Sequence, residues 1–558
     1  MKLKNLISTT TLCCSISLLA ACSSSTSDTN STASISGSIF ASYVDGATVT
    51  ITDSNGNDVA DAGDTDASGS FSASFPSSHL SSDLIFQSSG GTFVDEATGN
   101  STNAGDMAAY VPGGSLSTGS NVNATPGSTI VHQLITMYSL SVTEAVDAFT
   151  AAFGYTPDTS ITPTDATNPA TDADDAQKLD GLRAAAFSQL AADLGNLDLF
   201  DLIDALALDL SDGTLDGQST SGAVMVGSTT TLPVDIQNRF VTSLLNFHND
   251  GLMGDTHGND QTGLDNSQIG LLPFAKVATT GLTAGAYKVE YIPGSMDAMQ
   301  GKTEFQLRIT DDSDQPVTGK TVELMFMMHM FNRKHSTPDL DCTESVTTGT
   351  YDCTVYYVMA SVDGNGNSTG FWQLQVMVDM KTATFYPLVM MAGDDTTRAL
   401  LKGIDTVDTI SMMGLTQSRP YNLFRNKLSG STGNHDFELF IAPMETMMSF
   451  PALATGLDLN SGALVVNDVK VEFSTDKTNW VEANLVGANG SGTWKITGLT
   501  GLTDGVEGNI YVKLSVDDDA GGLPGSFEPE ELKTTNGLAA DGGANDPSNE
   551  YTFFKVTP

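Results

Sequence analysis

The chain has 558 residues, of which 67 are acidic and 24 basic, giving a formal net charge of −43. That length exceeds what one hydrophobic core fills, so several domains are expected. The charge argues against nucleic acid and anionic lipid surfaces as partners, since both demand a positive face, and makes cations the natural companions.

Residues 1–21 begin with Met1, Lys2 and Lys4, continue through an apolar run from Leu6 to Ala20, and lead to Leu19-Ala20-Ala21-Cys22. This is the pattern of an export signal. The run is broken by Ser8, Thr9, Thr10, Thr11, Ser15 and Ser17 and is too short to cross about 30 Å of hydrocarbon comfortably. The small residues before the cysteine resemble the lipobox of bacterial lipoproteins. That resemblance implies cleavage before Cys22, lipidation of Cys22 and attachment to the membrane through the lipid. Ser23 after the cysteine resembles lipoproteins sorted to the outer membrane, facing either the periplasm or the cell exterior.

Export also bears on the remaining thiols. Cys13 and Cys14 leave with the signal, so Cys342 and Cys353 are left in an oxidising compartment and are expected to form a disulfide. Thr347-Thr348-Gly349-Thr350 between them is a turn signal, so the bridge would staple a hairpin-like loop. A pair of thiolate metal ligands is the competing reading.

Residues 22–35 are dominated by Ser, Thr, Asp and Asn and are expected to be a flexible tether. Over 36–125, Val49 and Ile51 alternate between turn signals, with Thr65-Asp66-Ala67-Ser68-Gly69-Ser70-Phe71 following. This order resembles the carboxypeptidase regulatory-like, transthyretin-type β-sandwich, which implies a spacer or binding platform with no catalytic residues. Asp53, Asn55, Asn57 and Asp58 cluster oxygens suited to calcium, although a plain hydrophilic turn has the same composition.

Residues 126–270 have a helical texture. Ser141 and Glu144 stand at capping-box spacing before Ala145, Phe149 and Phe153, and a second helix is expected from Thr171 through Leu194 with Asp172, Asp174 and Asp175 at its positive end. Leu199–Leu210 and Asp235–Phe247 add two amphipathic stretches. His132, His248 and His257 lack acidic or Cys neighbours at ligand spacing and are expected to be surface or cap histidines.

From 278 to 400 the period becomes two, in Lys288–Ile292, Thr303–Ile309, Lys320–Phe331 and Gly370–Met380, with an Asp363–Asn367 turn signal. Residues 401–558 are expected to form a further β-sandwich, its strands beginning near Ile441. The fold class expected is multidomain and mainly β: immunoglobulin-like or transthyretin-like sandwiches with an intervening small helical domain.

Sixteen of the 21 methionines fall between Met296 and Met448. In the strand expected over 321–331, period two puts Met325, Met327 and His329 on one face and Met328 and Met330 on the other. Thioethers with imidazole select Cu(I), so Met325, Met327, His329, Met330 and His335 are the candidate copper ligands, with Met296 and Met299 as additional sulfurs. A methionine-packed core or an adhesive surface is the alternative. The segment with its Met/His run and Gly370-Phe371-Trp372-Gln373-Leu374-Gln375-Val376 resembles the YtkA/FixH-type immunoglobulin-like domain, which implies copper handling or oxidase assembly. The chain departs from that pattern by inserting the Cys342/Cys353 segment and by lacking a dense His-Gly-His cluster.

No Cys-x-x-Cys-His, Gly-x-Ser-x-Gly, His-Glu-x-x-His or phosphate-loop motif is present, so an enzyme is not expected. The reading is an exported lipoprotein that binds without catalysis, through copper at the Met/His cluster. The alternative is a structural or adhesive surface scaffold that meets a protein or glycan without metal. No oligomeric state is assigned.

Overall fold

The computed structural model describes residues 31–228, 230–248, 258–265, 268–269, 282–285, 287–330, 333–365, 369–403, 408–412, 414–459, 464–517, 532–535 and 550–558. The export signal, Cys22 and His257 lie outside them. Among the described residues no helix is long and apolar enough to cross a membrane. The fold is mainly β, with five α-helices among the described residues grouped between β-sandwich modules.

In the first module, Thr32–Ser38 pairs antiparallel with Ser70–Pro76, facing a four-stranded sheet ordered Asp58–Asp64, Thr48–Asp53, Leu84–Ser89, Met107–Val111. Val49 and Ile51 are buried while Thr48 and Thr50 are exposed, as period two requires. The first strand starts inside the segment expected to be tether. Ala33 and Ile35 bury on one face between exposed Thr32, Ser34 and Ser36, so this Ser-rich stretch still carries a strand's alternation. Gly37 is required here because a Cβ would lie 1.7 Å from the Val122 carbonyl oxygen, where the 121–124 segment runs parallel beside the strand.

Five helices follow: α1 (Pro126–Thr136), α2 (Val142–Phe153), α3 (Asp175–Asp193), α4 (Leu199–Leu210) and α5 (Ile236–His248). Ser141 and Glu144 close the expected capping box on α2. α3 begins at Asp175 rather than Thr171, because Asp174 caps it and completes a second box with Gln177. Phe153, Phe187 and Phe240 meet with ring centroids 4.8–5.3 Å apart. The helices share one core with the first sandwich, α1 being tied to Met107–Val111 through Ser128 and Thr129. His248 ends α5, where a cap histidine would stand, but it is buried rather than at the surface, with Nδ1 2.6 Å from the buried Asp260 carboxylate.

The third module packs two sheets. One runs Leu282–Ala284, Tyr287–Pro293, Gly301–Asp311, Thr350–Tyr357, Asp339–Glu344; the other runs Arg333–His335, Val322–Met330, Phe371–Val378, Lys381–Phe385. Phe305, Leu307, Phe326, Trp372 and Leu374 fill the space between them. Cys342 and Cys353 are disulfide-bonded across the neighbouring strands Asp339–Glu344 and Thr350–Tyr357, with Cα atoms 4.4 Å apart.

The fourth module is built on a long sheet that includes Arg398–Gly403, Pro420–Ser431, Asn434–Pro443, Thr493–Leu499, Asp468–Ser474 and Gly508–Asp517. Its strands begin at Arg398, not near Ile441, and the first spans the boundary placed at 400. Arg398–Gly403 belongs with this sheet because it pairs antiparallel with Pro420–Ser431. Tyr356 of the third module stacks on Phe440 of the fourth, 4.1 Å and 12° apart, so their cores join.

Candidate functional site: the methionine strand and the groove between modules

Val322–Met330 is an interior strand, hydrogen-bonded to Phe371–Val378 on one side and Arg333–His335 on the other. Alternation sends Val322, Phe326 and Met328 into the core and Glu323, Met325, Met327 and His329 to the outer face. Met325 is 40% exposed. Farther along the same face, His329 is buried: its ring stacks on Phe371, 4.7 Å and 6° away, and Nε2 lies 3.3 Å from Gln373 Oε1. Gln373 Nε2 donates to the Tyr386 hydroxyl, which is 2.7 Å from Thr242 Oγ1 on α5. This polar chain seats the helical module against the outer face.

His335 sits differently. It is directly opposite Met328 in the strand pair, which places it on the inner face with Met328 and Met330. Nδ1–H donates to its neighbour Ser336's carbonyl at 2.7 Å, and the ring meets Trp372 edge-on at 5.4 Å. Nε2 is buried with no hydrogen-bond partner. Burial, more than the nearby Arg398 and Arg333, holds the imidazole below its ordinary pKa.

The expected ligands are therefore not one constellation. The sheet separates Met325, Met327 and His329 from Met330 and His335. Met296 and Met299 lie elsewhere, along a cavity of about 1320 Å³ between the third and fourth modules. Among the described residues, no group of three or more His, Cys, Asp or Glu side chains is placed to hold a metal ion. The Asp53 cluster closes as a turn: Asp53 Oδ1 accepts from the Asn55 and Asn57 amides, and Oδ2 from Asn57 Nδ2. Those bonds, led by the Asn57 side chain, lower the Asp53 pKa.

The groove joins the outer face of Gly301–Asp311 to the strand Pro420–Ser431. Its cations are largely paired: Lys302 with Glu304 at 2.5 Å and Arg425 with Asp395 at 2.8 Å. His435, which the sequence did not single out, lines it while buried. Its Nε2–H donates to Asp504 at 2.9 Å, and Nδ1 has no partner. Nothing in the local sequence links His435 to Asp504; the two meet only when the sheet closes. The groove is walled by side chains of two modules, many of them polar, an arrangement that can bind a ligand.

No family model matches the chain, and no curated protein matches it. Among solved structures it is similar to FdeC, an Escherichia coli adhesin (13% identity, TM-score 0.15, covering 46% of this chain and 66% of that one). It is also similar to Yersinia pseudotuberculosis adhesin InvE (12%, 0.15, 42% and 57%) and to a conserved domain protein from Bacillus anthracis (10%, 0.20, 51% and 91%). The chain thus covers less than two thirds of either adhesin.

Proposed function

We propose that this chain is an exported, non-catalytic binding scaffold, held at the outer membrane by lipid on Cys22 and presenting its modules to a protein or glycan. The observation that carries this reading is the joining of cores: one apolar cluster unites the first sandwich with the helices, and another joins the third and fourth modules. Fused modules hold an intermodule groove in one shape, which lowers the ordering cost of binding. The N-terminal sandwich acts as a spacer, as its resemblance implies.

The test has two arms. Labelling with an alkyne-tagged fatty acid should mark the wild type and not Cys22→Ser, and cells retaining the lipidated chain should adhere to immobilised partner where Cys22→Ser cells do not. Label on Cys22→Ser, or adherence indifferent to anchoring, would overturn the reading.

Copper is the second reading, favoured by one observation: the partnerless Nε2 of His335 lies on the face that also carries Met328 and Met330. Neutral imidazole and thioether sulfur would together suit Cu(I).

A further inference from the structure

The outer face of the fourth module carries an unusual group of side chains. On Gly508–Asp517, Ile510, Val512 and Leu514 point into the core, leaving Tyr511 and Lys513 outside. On Thr552–Val556, Phe554 and Val556 point inward and Phe553 outward, directly opposite Tyr511. Trp480 and Tyr551 complete the patch. Their rings lie 6.0 Å apart, Tyr511 and Tyr551 lie 5.6 Å apart, and Tyr511 and Phe553 lie 6.1 Å apart. Of the three tryptophans, Trp372 and Trp494 are buried in cores, and this is the one at a surface.

Two cations rest on these rings. Lys477 Nζ is 4.8 Å from the Tyr511 centroid and 5.5 Å from that of Tyr551; Lys513 Nζ is 4.4 Å from Trp480. Neither lysine forms a salt bridge among the described residues. Lys513 stands opposite Glu472 in the strand register and Lys477 follows Asp476, yet both ammonium groups rest over aromatic faces, which sets positive charge beside the rings in a chain with 67 acids against 24 bases.

We propose that Trp480, Tyr511, Tyr551 and Phe553, with Lys477 and Lys513, form a platform for an acidic saccharide. Sugar rings stack their C–H faces on the aromatic rings, and a uronate carboxylate takes the lysine ammonium groups. Tyr511 and Phe553 sit on paired strands, Trp480 and Tyr551 each directly precede a strand, and Trp480 Nε1–H is already satisfied by the Lys477 carbonyl at 3.1 Å. Rings inclined to one another by 44–87° on and beside a sheet suit the puckered rings of a saccharide lying along them more than a bilayer, into which anchoring side chains must protrude. The net charge of −43 repels dense polyanions, so a glycan with a carboxylate only at intervals fits best. The site is separate from the intermodule groove and goes beyond the scaffold reading.

Isothermal titration of the full chain tests it with three probes: a hyaluronan hexasaccharide, the uncharged chitohexaose, and phosphatidylglycerol vesicles. The hexasaccharide should bind about tenfold more tightly than chitohexaose, and Trp480→Ala or Tyr551→Ala should weaken it by about tenfold or more. Trp480→Phe should retain most of the affinity. The Lys477→Gln/Lys513→Gln pair, which leaves the core untouched, should reduce hyaluronan binding to the chitohexaose level. Lys288→Ala, on the third module and outside the groove, should change nothing. No hexasaccharide binding, binding indifferent to the lysines, or vesicle binding that alone depends on these residues would overturn the proposal.

Discussion

His329 and His335 stand on paired strands yet end on opposite faces of a sheet, and their ring nitrogens have different prospects. His329 Nε2 faces Gln373 and its ring is stacked, whereas His335 Nε2 has no partner. If Cu(I) binds, His335→Ala should weaken uptake more than about tenfold, while His329→Ala should leave it near wild type, as read by Cu(I) titration under reducing conditions. Wild-type protein that takes up no Cu(I) would remove the second reading. A separate residue-scale consequence concerns Asp180 on α3. It is buried with Oδ2 unpartnered, and burial pushes its pKa up to about 7 despite the nearby Arg183. The native state then holds a proton that the unfolded chain releases near its ordinary value of 3.8. Stability should fall as pH rises from about 4 to about 7, with no further loss from this group above that window. Asp180→Asn should flatten that slope and gain on the order of 1–3 kcal/mol at pH 8, measured by urea unfolding at several pH values.

Strands and helices were legible where the local pattern and the tertiary demand agree. The Cys342–Cys353 pairing follows from two thiols flanking a turn signal, and the disulfide does join adjacent strands. Replacing both cysteines with serine should cost about 3 kcal/mol, read as a lower midpoint of denaturant unfolding. The capping box of α2 was equally plain, because Ser141 and Glu144 act within one turn. The start of the fourth module was not. Pro420–Ser431 contains Asn422, Arg425, Asn426 and Lys427, and its inward residues acquire meaning only against Asn434–Pro443 and Arg398–Gly403. The candidate site divides the same way. Period two separated Met328 and Met330 from Met325, Met327 and His329, but His335 joins the inner set through the antiparallel pairing of Arg333–His335 with Met328–Met330, which the period of a single strand does not encode. His435 and Asp504, 69 residues apart in sequence, had no local signal at all.

At the scale of the molecule, the question is whether the modules behave as beads on a string or as joined bodies, because a groove between them keeps its shape only in the second case. Tyr356 decides this for the third and fourth modules. Its ring stacks on Phe440 at 4.1 Å and tilts against Phe424 at 5.3 Å, while its hydroxyl donates to Asn426 Oδ1 at 3.0 Å. Such contacts make unfolding of one module expose apolar surface on the other, which couples their transitions. Tyr356→Ala should remove about 3–5 kcal/mol of packing and leave a void at the joint. The consequence expected in calorimetry is a single endotherm for these two modules in the wild type and two resolved endotherms in the variant. Tyr356→Phe keeps the ring and loses only the hydroxyl bond, worth about 1 kcal/mol, so it should keep the single endotherm at a slightly lower temperature. Separate endotherms already present in the wild type would mean that the joint does not couple the modules, and a groove formed between them would then open and close with their relative motion.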